Sequence, residues 1–195
     1  FLLNELAGLG DINALHGFED ATPDLVEAIV EEAAKLANGV LSPLNQSGDE
    51  KGAKIKDKKV MPPEGFAKIY KAFKEGGWPA LPFDPALGGQ GLPELVACAV
   101  NEIWQASNMA FALCPMLTEG AAVAIDIHAS NALKDRFLPN MISGEWTGTM
   151  NLTESQAGSD LAAVKTKAEP EGDHYLLSGQ KIFITWGDQD FTDNI

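Results

Sequence analysis

The chain has 195 residues, 45% of them hydrophobic, and its 14 basic against 28 acidic side chains give a formal charge of −14. That length holds one large domain, or one domain and part of a second. The charge argues against nucleic acid and anionic membrane surfaces as general partners, so any anionic ligand must be held locally. The two cysteines, Cys98 and Cys114, stand among apolar neighbours and read as buried, reduced thiols, which points to a cytoplasmic location. Nothing near Phe1 resembles a secretory signal, and no run approaches the apolar length of a membrane span.

Up to about Trp146 the sequence is Ala-rich with helical periodicity. Thr22-Pro23 supplies a cap and a first-turn proline, and Leu25, Val26, Ile29, Val30, Ala33, Leu36 and Ala37 form the stripe of an amphipathic helix that stops at Asn38-Gly39. Residues 47–59 read as a polar loop. Pro62-Pro63 then opens a second helix, with Phe66, Ile69, Tyr70 and Phe73 on one side and Gly76-Gly77 as its stop. The basic clusters Lys51 to Lys59 and Lys68 to Lys74 read as a solvated loop and a helix face.

Trp78 to Leu92 has too many prolines and glycines for regular structure and reads as an ordered loop. Its Gly88-Gly89-Gln90-Gly91 string follows no strand and lacks the G-x-G-x-x-G spacing, which favours a structural role over nucleotide binding. Leu92 to Ser107 carries Leu95, Val96, Ala99, Val100, Ile103 and Trp104 at helical spacing. The block from Ala110 to Ala129 is apolar nearly all round, as expected of a helix central to a bundle. Ser130 caps a short helix with Leu133, Phe137 and Leu138 that ends near Pro139 and Gly144.

Near residue 147 the pattern changes to alternation and turns. Thr147 to Thr153, Val164 to Ala168, His174 to Leu177 and Lys181 to Thr185 read as short strands, with turns at Pro170 to Asp173 and at Ser178-Gly179. The fold class is therefore α+β, with an all-α helical bundle domain over 1–146 and the first part of a β domain over 147–195. Phe191 to Ile195 follows the last strand without a stop signal, so the chain reads as truncated, with a sheet edge that needs covering.

His16, His128 and His174 are far apart and none has a ligand neighbour at metal-binding spacing, so no metal site is expected. Ser159 lacks a G-x-S-x-G elbow and His and Asp partners, which weakens a serine-nucleophile reading. The small-residue loop Ala157-Gly158-Ser159-Asp160 instead offers backbone N–H groups and a hydroxyl to a phosphate-like ligand.

Met150-Asn-Leu-Thr-Glu-Ser-Gln-Ala-Gly-Ser-Asp160 and Gly179-Gln-Lys-Ile-Phe-Ile-Thr-Trp-Gly187 resemble two linked signatures of the acyl-CoA dehydrogenase family, L-T-E-P-x-A-G-S-D and G-x-K-x-[FW]-I-T. Residues 76–92 resemble a third, G-[LW]-x-x-[LV]-P-x-x-x-G-G-x-G-L, in the correct order. The resemblance implies a helical N-terminal domain followed by a β-barrel domain that binds FAD. It also implies α,β-dehydrogenation of an acyl-CoA thioester to the 2-enoyl-CoA, with hydride transfer to flavin N5. Carried over residue by residue, Met150, Leu152 and Thr153 line the flavin, with Leu152 and Thr153 at its pyrimidine edge. Gly158 and Ser159 lie near the FAD pyrophosphate, and Ser159 also touches the acyl-CoA. Phe183 packs by the ring, Ile184 beside it counts among the cofactor-binding residues, and Thr185 bonds N5. Donors at the pyrimidine edge favour the charge that a reduced flavin gathers there.

In the family the base that removes the α-proton is a Glu of a C-terminal helical domain, so no catalytic residue is expected among these 195, and neither Glu154 nor Asp160 takes that role. The resemblance further implies an electron-transfer flavoprotein as electron acceptor and a homodimer or homotetramer. An acyl-CoA oxidase, a flavin monooxygenase of the same superfamily and a non-catalytic binding module of this fold are the alternatives. Three positions depart from the pattern: Ser155 stands for the usual Pro, Met150 for a frequent aromatic and Trp186 for a common Asn. Trp186-Gly-Asp188, Asp193-Asn194 and the extended N-terminal region look most like the bacterial branch that includes 3-methylmercaptopropionyl-CoA dehydrogenases.

Overall fold

The computed structural model describes residues 1–195. After a π-helical turn at Leu2–Leu6 and the short helix α1 (Leu9–Asn13), the first long helix, α2 (Pro23–Leu36), begins at Thr22. Thr22 is extended, and its hydroxyl accepts the N–H of Leu25 at 3.3 Å. The cap satisfies one of the donors a helix start leaves unpaired.

The helix does not stop at Asn38-Gly39. It widens into a π-helical turn over Ala37–Leu41, tightens over Ser42–Leu44 and continues as α3 (Asn45–Lys51). Ala37 and Leu41 are almost wholly buried, so their packing overrides the poor helix propensity of Asn38 and Gly39 between them. The stretch read as a polar loop is thus α3 plus a hairpin, β1 (Lys54–Lys56) with β2 (Lys59–Met61). Asp57 and Lys58 both take left-handed φ, 51° and 65°, as a two-residue hairpin turn demands.

In α4 (Phe66–Glu75) the residues Phe66, Ile69, Tyr70 and Phe73 are all buried, and Gly77 ends the element at φ 72°. Residues 78–92 hold two 3-10 turns, Trp78–Ala80 and Pro85–Leu87. A Cβ on Gly89 would sit 1.8 Å from the carbonyl oxygen of Phe83, so close backbone contact explains the glycine there.

Two helices, α5 (Glu94–Ser107) and α6 (Met109–His128), meet at Asn108, whose extended backbone (φ −157°, ψ 86°) breaks the run. The Asn108 side chain accepts the Phe111 N–H at 3.1 Å and donates to the Leu41 carbonyl at 3.2 Å, joining this corner to the π-helical turn. Between these elements lies the main core. Phe73 meets Trp104 and Phe111 edge-on, with ring centroids 6.0 and 5.9 Å apart, a favoured aromatic geometry. The last helix, α7 (Asn131–Ile142), forms a smaller cluster in which Leu138 and Ile142 accompany Phe83 and Ala122.

Expectations about α6 and the cysteines are corrected. The helix is not enclosed all round: Met109, Met116, Val123 and Ile127 are each at least 39% exposed. It is also long and apolar enough, by length and composition, to cross a membrane, with a mean hydropathy of 1.5. Phe111, Ala112 and Cys114 on its inner side belong to the core, yet only 28% of its apolar stretch is buried, so the chain does hold a run of membrane-spanning length, contrary to the expectation from sequence. Cys98 is exposed rather than buried, and both thiols are free.

After α7 the strands are fewer than the alternation predicts. The ladder that forms joins β3 (Lys167–Glu171) to β4 (His174–Ser178), antiparallel, with Pro170 opposite Tyr175. The turn lies at Gly172-Asp173, two residues later than its Pro170 start suggests. Counted from the two-residue turn, Glu171 and His174 form a hydrogen-bonded pair and Pro170 and Tyr175 the next, non-bonded one, so the absent N–H of Pro170 leaves no ladder bond unmade. Residues 147–153 and 181–185 lie side by side without a ladder: the Ile182 N–H reaches the Thr153 carbonyl at 2.9 Å, and Phe183, at φ 57°, turns the backbone out of strand geometry.

Candidate functional site

The two signature segments, separated in the chain by residues 161–178, converge around Glu154. This carboxylate is 4% exposed and collects five donors. They are the Lys165 N–H at 2.8 Å, the Thr166 N–H at 3.0 Å, the Thr166 hydroxyl, the Gln156 amide and the Lys181 ammonium at 2.9 Å. The Thr166 hydroxyl first, then the Lys165 N–H and Lys181, hold its carboxyl well below the usual range. Lys181 also donates to the Leu152 carbonyl at 2.9 Å. A carboxylate so occupied organises the loop and is not free to abstract a proton. Sequence reasoning withheld the base role from Glu154 but missed this structural one; the signal was present in the pairing of one acid and one lysine across the two motifs.

The turn after Glu154 stays closed despite Ser155. Glu154 and Ala157 exchange two backbone bonds, each 3.1 Å. Beyond it Gly158, Ser159 and Asp160 are exposed, and their N–H groups are not spent on backbone carbonyls. A Cβ on Gly158 would meet nothing within 4 Å. The loop is open, with donors available to an anionic ligand, as its small residues suggest.

Met150 is 60% exposed, Leu152 40% and Phe183 86%, so apolar side chains face outward from both segments. Thr153, Ile184 and Thr185 are half-buried. The Thr185 carbonyl accepts the Thr149 hydroxyl at 2.6 Å, a bond that leaves the Thr185 hydroxyl unused. Ile184 and Thr185 also form one wall of an open groove of about 1270 Å³, whose other sides come from α3, the Pro62-Pro63 corner and the start of α6. Phe66, Met109 and Trp186 are among its apolar lining residues, and Lys181 and Asp188 among its polar ones. The structure thus brings Leu152, Thr153, Phe183, Ile184 and Thr185 into one neighbourhood, while Gly158 and Ser159 lie past the Glu154 turn.

Comparison with known proteins gives the same direction. The sequence model described as acyl-CoA dehydrogenase, N-terminal domain, matches residues 24–145. A 3-methylmercaptopropionyl-CoA dehydrogenase of Ruegeria pomeroyi is 40% identical over 196 residues, which cover 100% of this chain and 33% of the relative. Among solved structures, one of glutaryl-coenzyme A dehydrogenase with glutaryl-CoA is 25% identical with a TM-score of 0.71, over 84% of this chain and 40% of that one. One from a study of the electron transferring flavoprotein of Acidaminococcus fermentans is 27% identical with a TM-score of 0.69, over the same shares. The chain spans about a third of the length of the curated relatives it matches.

Proposed function

Because this chain belongs to the acyl-CoA dehydrogenase family, we propose that it supplies the cofactor-binding face of an FAD-dependent enzyme that dehydrogenates an acyl-CoA thioester to its 2-enoyl form. The observation that carries this reading is the convergence of the two signature segments, fastened by Lys181 to Leu152 and by Ile182 to Thr153.

The residues present fit a flavin. A flat ring with an apolar benzenoid end and a polar pyrimidine end needs apolar surface beside hydrogen-bond donors. Exposed Met150, Leu152 and Phe183 offer the first, and the Thr153 and Thr185 hydroxyls the second. Gly158 and Ser159 offer N–H groups to the pyrophosphate, and the Ser159 hydroxyl is open to the acyl-CoA as well. A flavin bound here would supply a hydride acceptor; the Thr185 hydroxyl would hydrogen-bond its N5, and Leu152 and Thr153 would favour charge at its pyrimidine edge.

Glu154, committed to five donors, is not available to remove the α-proton. On this reading the base is a Glu supplied from outside these 195 residues. Electrons pass on to an electron-transfer flavoprotein, a reading supported by the likeness to a structure from the study of such a protein. The test is titration of the 195-residue chain with FAD, followed by flavin fluorescence. Saturable binding that weakens about tenfold in Thr185→Ala, the scale of one lost hydrogen bond, is expected. No binding by the unsubstituted chain overturns the cofactor-face reading.

A further inference from the structure

We propose that Trp186 is a positioning residue, fastening the 183–187 segment to the helical layer and so fixing where the Thr185 hydroxyl stands; this rests on the flavin reading above. The observation that prompts it is a backbone outlier. Trp186 takes φ 55°, a left-handed conformation that bulky residues avoid, and Phe183 three residues earlier takes φ 57°. Such conformations persist where surrounding structure over-determines them, and they concentrate at ligand sites.

Three contacts do the over-determining. The indole stacks on Phe66, with centroids 6.0 Å apart and planes 26° from parallel. Its Nε1 donates to the Ala110 carbonyl, in the first turn of α6, at 2.9 Å. Phe191, four residues beyond the segment, meets its ring with centroids 5.4 Å apart. Phe66 is 1% exposed and meets Phe111 edge-on at 6.2 Å, so Trp186 is anchored to a rigid part of the core.

Thr185 is consequently held from two sides. Its carbonyl is fixed by the Thr149 hydroxyl, and the residue after it is fixed by Phe66 and Ala110. The segment is also tight on itself, because a Cβ on Gly187 would lie 2.6 Å from Ile184 Cγ2. An Asn at position 186 has no ring to stack on Phe66. Trp therefore couples the cofactor segment to the helical layer, where an amide side chain cannot do so in this way.

The test again uses FAD with the 195-residue chain. Trp186→Ala is expected to weaken FAD binding by about tenfold or more and to shift the bound-flavin absorption band, whereas Trp186→Phe, which keeps a stacking ring, stays within about threefold of the unsubstituted chain. Phe66→Leu lies outside both signatures yet is expected to weaken FAD binding too, and its effect should not add to that of Trp186→Ala. If Trp186→Ala fails to fold, Phe66→Leu and Trp186→Phe carry the test. FAD affinity and band shape unchanged in all folded variants would overturn the role of Trp186 while leaving the flavin reading intact. An unsubstituted chain that binds no FAD would remove both.

Discussion

Lys181 Nζ lies 2.9 Å from Glu154 Oε1, and the two side chains are only 20% and 3% exposed, so one ion pair ties the two signature segments together inside the fold. Breaking such a pair leaves a charge with poor access to water. Glu154→Gln should loosen the loop from 154 to 166, read as faster amide exchange at Lys165 and Thr166, whose N–H groups it accepts. The pH dependence has a definite sign. The folded carboxyl titrates below its ordinary 4.5, so its stabilisation is complete above that value and declines as pH falls through and below it. The gap in melting temperature between the native chain and Glu154→Gln should therefore be constant near neutrality and narrow below about pH 5. A gap that widens on acidification would contradict the assignment.

The cysteines differ in a way their sequence context hides. Cys114 is fully buried, and burial pushes its thiol up to about 12, whereas Cys98 is exposed on the outer side of α5. Thiolate is the reactive form. Iodoacetamide at pH 8 is expected to label Cys98 alone, with Cys114 labelled only after unfolding, as mass spectrometry of the digested chain would show. Labelling of both in the folded protein would refute the burial.

Helical periodicity made α2, α4 and α5 legible because each carries a buried stripe on one face. Less was legible where burial rather than pattern decides. Nothing local in Ala37-Asn-Gly-Val-Leu41 signals a π-helical turn, since its cause is the fit of Leu41 and Ala37 into a distant core. The strand expected over 181–185 failed for a related reason. Lys181 to Thr185 alternates acceptably, but the side chains of Lys181 and Trp186 are claimed by Glu154 and Phe66, and Phe183 leaves strand geometry to satisfy them. The candidate site residues were readable by motif, whereas the carboxylate clamp that unites them required three dimensions.

The glycine string in the 78–92 loop yields a stability prediction. Gly89 is the glycine with the least room, 1.8 Å from Phe83 oxygen to a Cβ that is not there, and the obstacle is backbone rather than a movable side chain. Gly89→Ala should cost about 2–3 kcal/mol, at the upper end for single substitutions, in urea unfolding. Gly10→Ala, where a Cβ meets nothing within 4 Å, is the control and should be nearly neutral. Equal effects would mean that the loop has freedom to move away.

Asn108 has two duties that substitution can separate. Its Oδ1 caps α6 through the Phe111 N–H, and its Nδ2 satisfies the Leu41 carbonyl, while the side chain is 1% exposed. Serine can still cap but cannot reach across to Leu41, so Asn108→Ser should lose about 1 kcal/mol, the net worth of one hydrogen bond. Alanine forfeits the cap as well and leaves buried polar groups unpaired on both sides, for about 2–3 kcal/mol. Chemical denaturation of the three chains would rank them native, Ser, Ala. If Ser and Ala proved equal, the cap would contribute nothing, and the bond to Leu41 would carry the whole effect.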